Sequence, residues 1–140
     1  MTEPDIPASD RRAVALFEML PRLVDGDPDL QRRGRFLDCE FTIGVGKTPL
    51  HVSVRSGKVV SVARGPFLLR PATFALEADG PAWLEFLAPM PRPGAHDIFA
   101  LSKAGRLKIS GNLVPLMGNL QYVKDVLEAP RASVAAEASA

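Results

Sequence analysis

From Leu37 onward the chain adopts a period of two. Leu37, Cys39, Phe41 and Ile43 are apolar while Asp38, Glu40 and Thr42 are polar, and Leu50, Val52 and Val54 alternate likewise with His51, Ser53 and Arg55. Only an extended strand with one buried face satisfies that spacing, because successive side chains leave opposite sides of the backbone. Gly44 to Lys47 lies between the two runs and reads as a hairpin turn, its glycines supplying positive-φ conformations. Ser56-Gly57-Lys58 is a second tight turn into a strand from Val59 to Ala63. Thr73 to Ala78 makes a fourth strand with Phe74 and Leu76 inward, and Leu107 to Ser110 a fifth. The pattern predicts a sheet that starts as an antiparallel meander with one wet face.

The run Gly-Val-Gly-Lys-Thr, residues 44 to 48, has the ending of a phosphate-binding loop, but its context excludes that chemistry. Such a loop needs a glycine six positions ahead of the lysine, and Phe41 stands there. It must also open a helix, whereas Pro49 and then alternating Leu50, Val52 and Val54 follow.

Around the strands the period is helical. Ser9 or Asp10 can cap a helix with Val14, Phe17, Leu20 and Leu23 on one face, which Pro21 bends or ends. Asp27-Pro28 supplies a cap and a first-turn proline for a short helix through Arg32. A further helix begins after Asp79-Gly80 and carries Trp83, Leu84, Phe86 and Leu87, and another starts near His96-Asp97 and ends at Gly105. Asn112 caps a final helix with Leu113, Leu116, Met117, Leu120, Val123 and Leu127 on one stripe, ending before Pro130. The tail RASVAAEASA has nothing large to bury and is expected to be disordered. Residues 1–34 thus read as an N-terminal helical segment packing on the domain, 35–129 as the domain itself and 130–140 as tail.

Composition narrows the function. With 140 residues the chain makes one domain and one core. Its net charge is +1 with acids and bases interspersed, so it has no basic field for nucleic acid. Cys39 is the only cysteine, which excludes an internal disulfide and a cysteine-based zinc cluster and suits a reducing cytoplasm; it reads as a small buried apolar residue. The start MTEPDIPASDRR lacks the apolar core of a secretory leader, and no window reaches the roughly 20 apolar residues of a membrane span. A soluble cytoplasmic protein is expected.

Catalytic groupings are missing from the sequence. His51 and His96 belong to no metal-ligand spacing; His51, beside Ser53 and Arg55 on the polar strand face, reads as solvated, and His96 as a helix cap. Asp38 and Glu40 share a face, where they read as outer-surface charges opposite Arg55 or Lys58 rather than as an acid/base pair. No Gly-X-Ser-X-Gly elbow occurs. Neither an enzyme nor a cofactor or metal is expected.

What remains is an excess of apolar side chains on the helical half: Trp83, Phe86, Leu87, Phe99, Leu113, Leu116, Met117 and Leu120. Singly each is an ordinary core residue. Together, on short proline-rich connections, methionine and aromatics can repack around a flexible apolar guest. Periodicity does not separate a lipid cavity from a filled core, so two readings stand: a carrier with these eight residues as ligand contacts, and a packed module docking on a partner enzyme.

The order of motifs sharpens this. FTIGVG, LHVSVRSGKVVSV, TFALEADGPAWLEFL, AHDIFALSKAGRLKISGN and a last apolar helix in succession resemble the sterol carrier protein type-2 family of lipid-transfer domains, over about Phe36 to Leu127. The most specific piece is FALSKAGRLKISGN, where Asn112 stands in place of the family's usual aspartate. The resemblance implies an α+β fold: a five-stranded, mainly antiparallel sheet with helices on one face, enclosing an apolar cavity for fatty acyl chains, sterols or prenylated lipids. It implies no cofactor and no reaction. The peroxisomal Ser-Lys-Leu ending of some members is missing, since the chain ends Ala-Ser-Ala, and a bacterial stand-alone member, of the kind that serves ubiquinone synthesis, fits best. The expected partner is a lipid or other apolar small molecule, with transient membrane contact and either a homodimer or a partner enzyme, and no nucleic acid.

Overall fold

The alternating runs pair as their pattern requires. The structure, a computed structural model, describes residues 6–65 and 72–139. Five strands, β1 (Cys39–Val45), β2 (Thr48–Arg55), β3 (Lys58–Arg64), β4 (Phe74–Ala78) and β5 (Leu107–Gly111), form one sheet in the order β3-β2-β1-β4-β5. β1 and β2 join through the two-residue turn Gly46-Lys47, where Gly46 takes φ 59°, and Lys47 opens no helix. The meander stops after β3: β4 pairs with β1 in parallel, and every other neighbouring pair is antiparallel. The sheet is therefore mixed.

One face of the sheet is almost wholly apolar. The pairing aligns Phe41 with Val52 and Phe74, and Ile43 with Leu50 and Leu76. Phe41 stacks on Phe74 with ring centroids 4.9 Å apart. Arg64, at the edge of this face, turns to a two-pronged hydrogen bond with Glu18, 2.8 Å at each oxygen.

Among the described residues eight helices accompany the sheet: α1 (Ala8–Phe17), α2 (Leu20–Asp25), α3 (Pro28–Arg33), α4 (Gly80–Phe86), α5 (Ile98–Lys103), α6 (Val114–Gly118), α7 (Leu120–Glu128) and α8 (Pro130–Ser139). α1 packs against α4 and against β1 and β2, α2 against β3, α5 against β5, and α3 against α7. Caps explain several boundaries. Asp27 accepts from the Leu30 N–H at 3.1 Å and Asp79 from that of Ala82 at 2.8 Å. At α5 the cap is Asp97, which accepts from Ala100 at 2.7 Å, and not His96, whose side chain stays exposed.

Three expectations are corrected here. α1 starts after Pro7 with no side-chain cap; Asp10 is instead buried and accepts from the Gly80 N–H at 2.7 Å, tying α1 to the start of α4. The final helix is not continuous. Asn112 does accept from Val114 at 3.1 Å, but Asn119 at φ −132° and ψ 33° interrupts the run, leaving α6 and α7 with different phases. The tail expected to be disordered is helical as α8. Beside half-buried Val134 its anchor is polar: Arg131 donates from Nε to the Phe86 carbonyl at 2.7 Å and from a terminal nitrogen to that of His96 at 2.9 Å.

Candidate functional site

The interior between the apolar sheet face and the helices is where an apolar guest would have to lie. Trp83, Phe86, Leu87 and Leu116 all project into it and are fully buried. Their surroundings are specific. Trp83 meets Phe17 edge-on with centroids 5.0 Å apart and Phe86 at 5.6 Å, and its ring N–H donates to the Gly44 carbonyl at 2.9 Å. Trp83 therefore fixes α4 to both α1 and the C-terminal end of β1. Phe99, Leu113 and Leu120 are half-buried at the margin of the same core. Met117 departs from expectation, being 54% exposed, because the interruption at Asn119 gives α6 its own phase, in which Leu116 faces inward and Met117 does not.

The helical layer is also held laterally. Tyr122 of α7 donates its hydroxyl to the Gly57 carbonyl at 2.7 Å, and burial pushes the phenol up to about 12. Gly34, at the end of α3, leaves room for that ring: a Cβ there would lie 2.3 Å from it. Arg33 pairs with Asp125 between α3 and α7, and Arg106 with Glu85 beside α4.

Two concavities on the described surface are lined by none of the eight residues named from sequence. One, of about 600 Å³, lies between α2 and α3 on one side and α7 and α8 on the other, with Leu23, Leu30 and Ala129 among charged neighbours. The other, of about 340 Å³, is polar and lies by Asp38, Glu40, Arg55 and Thr73.

Beside that second concavity the outer sheet face holds a cluster that the sequence reading treated as surface. His51 is 2% exposed and not solvated. Its Nε2 lies 2.7 Å from Oε1 of Glu40, the same oxygen that accepts from the Ser53 hydroxyl at 3.0 Å. These hydrogen bonds, His51 first and Ser53 second, hold the Glu40 carboxyl below the usual carboxylate range. Arg55 approaches Glu40 at 3.8 Å, as the face assignment predicted. The geometry is not that of a nucleophile with its base. Serine and imidazole both turn to one carboxylate, and the serine hydroxyl is spent on it. Register gave the available signal, since Glu40 sits opposite Ser53 and diagonal to His51. On the inner face of β1, Cys39 is a free buried thiol pushed up to about 11 by burial, as its small-apolar reading implied.

Among the described residues no group of three or more His, Cys, Asp or Glu could hold a metal ion, and no helix is long and apolar enough to cross a membrane.

No protein-family model and no curated protein matches the chain. Solved structures do. A crystal structure of sterol carrier protein 2 superposes with a TM-score of 0.65 at 16% identity, over 84% of this chain and 94% of that one. A UbiJ-SCP2 ubiquinone synthesis protein gives 0.56 at 14%, over 91% and 98%. Sterol carrier protein domain 2 of Helicoverpa armigera gives 0.55 at 12%, over 90% and 95%. Identities this low speak to backbone architecture alone, and on that architecture the chain has a sterol carrier protein type-2-like fold.

Proposed function

We propose that the chain binds and transfers a hydrophobic ligand, a fatty acyl, sterol-like or prenylated lipid, without catalysing a reaction on it. The observation that carries the reading is the sheet's inner face: from Cys39 to Ile109 its only charged side chain among the described residues is Arg64, at the edge and neutralised by Glu18. Opposite it stand short helices rather than a second rigid sheet. Burying a ten-carbon chain there is worth on the order of 8 kcal/mol at ~0.8 per methylene, before the cost of displacing side chains. Trp83, Phe86, Leu87, Phe99, Leu113, Leu116 and Leu120 are the proposed lining, with Met117 at the rim.

A second reading has its own support. Trp83, Phe86, Leu87 and Leu116 already pack against protein, which suits an accessory module that docks on an enzyme of quinone or lipid metabolism. Mass spectrometry of gently purified protein under native conditions separates the two. A carrier retains a lipid of its host as added mass released on denaturation; protein that is lipid-free from every host and binds no added fluorescent fatty acid leaves only the module.

A further inference from the structure

α6 carries Val114 at 75% and Met117 at 54% exposure, next to half-buried Leu113, Pro115 and Leu120. Only Leu116 of this helix is buried. Residues 109–123 contain no charged side chain, and the run is bounded by Lys108 and Lys124. Lys103, on the helix that packs against β5, is exposed, as is Lys108, and neither forms an ion pair among the described residues.

We propose that α6 and its flanks are the surface by which the chain docks on an anionic lipid bilayer. Five residues of helix span about 7.5 Å, and a strip of that length about 10 Å wide falls far short of the ~800 Å² per partner of a standard protein interface. The exposed side chains are aliphatic or methionine, without the Trp, Tyr or Arg that anchor protein partners. A stretch free of charge enters the interfacial zone without stripping an ion of water. Exposed Lys108 at its N-terminal border, with Lys103, supplies attraction to anionic headgroups, while Lys124 at the other border is paired with Asp97 at 3.4 Å. The proposal rests on the carrier reading for its purpose: Leu116, the sole buried anchor of α6, reaches the proposed ligand layer. Gly118, where an added Cβ would meet nothing within 4 Å, precedes the interruption at Asn119. A bilayer offers Leu116 a second apolar medium, so docking and opening of the layer are one movement.

The test is cosedimentation of the full chain with large vesicles of phosphatidylcholine containing about a third phosphatidylglycerol, and with pure phosphatidylcholine. The chain is expected to partition onto the anionic vesicles and to lose most of that binding at high salt. The V114D/M117D variant, changed only at exposed positions, should lose at least about tenfold in partitioning. Phe36→Asp, at an 87% exposed residue outside α6, should lose none. A double variant that partitions like the parent, a parent that stays in the supernatant, or an equal loss in Phe36→Asp overturns the proposal. Binding of a fluorescent fatty acid from vesicle-free solution is expected to be the same in the parent and in Val114→Asp, whose 75% exposed side chain lies outside the proposed lining. If no fatty acid is bound while vesicle docking depends on α6 as described, the docking surface stands and the carrier reading falls.

Discussion

Arg131 joins α8 to the rest of the domain, and its removal has a calculable cost. Its guanidinium donates to the Phe86 carbonyl at the end of α4 and to that of His96 ahead of α5, pairs with Glu128, and sits 4.8 Å above the Phe86 ring. A charged donor on a part-buried carbonyl contributes about 1.5–3 kcal/mol, the more exposed His96 bond less than about 1, and the cation–π contact about 0.5–1. Arg131→Ala should therefore cost roughly 2–5 kcal/mol, or about 7–17 °C in melting temperature for a chain of this size. Arg131→Lys keeps the charge but loses the fork, and should recover less than half. A chain ending at Pro130 should fall at least as far, since it also loses half-buried Val134 and the Arg12–Glu137 ion pair. Thermal unfolding followed by circular dichroism measures all three. If truncation and Arg131→Ala both shift the midpoint by less than about 1 °C, α8 is not a working part of the domain.

Three further outcomes follow from single contacts. Tyr122→Phe removes the donor to the buried Gly57 carbonyl and should cost about 1–3 kcal/mol in urea unfolding; Gly34→Ala, which drives a Cβ into the same ring, should cost at least as much, and an unchanged midpoint in both would refute the lock between α3, α7 and the β2–β3 turn. Asp10→Ala leaves the Gly80 N–H without its acceptor and should cost a similar ~1–3 kcal/mol, whereas an effect below about 0.5 would show that Asp10 is only surface. Glu40 is held below its ordinary value of 4.5, so its contribution is present above that value and lost as pH falls through the lower folded value. Glu40→Gln should accordingly be less stable than the parent at pH 7, with the gap narrowing as pH falls from 5 to about 3; parallel stability curves would refute the role given to His51 and Ser53.

The parts of this fold that were legible were those with a strict period. Alternation located all five strands, and Asp27 and Asp79 announced the starts of α3 and α4, because each rule depends on neighbours in sequence. What depended on distant neighbours was not legible. The parallel pairing of β4 with β1 leaves no mark on either strand's alternation. His51 looked solvated because it lies on the polar face, yet Glu40 satisfies it and allows burial. One continuous helix through residue 127 would turn both Leu116 and Met117 inward; with the interruption at Asn119, Leu116 stays buried and Met117 does not. The tail reads as disordered when only large apolar groups count as anchors. The alanine-rich composition of residues 132–138 favours helix, and the anchor is the guanidinium of Arg131.

A filled interior and a carrier function look opposed, but energetics make the first a condition of the second. An empty cavity large enough for a lipid chain, say ~300 Å³, would cost about 7 kcal/mol at ~24 cal/mol per Å³. That rivals the whole stability of an ordinary domain, about 5–15 kcal/mol. A carrier that must survive between one ligand and the next therefore has to close over its own space, and can do so only with side chains mounted on something that moves. The sheet cannot move, for β1 is paired on both edges. α4, α5 and α6 can. They have seven, six and five residues, too short to be stable alone, and owe their structure to the Asp79 and Asp97 caps and to the groups they bury. A guest that supplies the same apolar contacts to Phe86, Leu87 and Leu116 replaces what their displacement loses. On the carrier reading, affinity is then the difference between two fillings of one space, and substitutions that loosen α4 to α6 should raise it while lowering the stability of the unloaded chain.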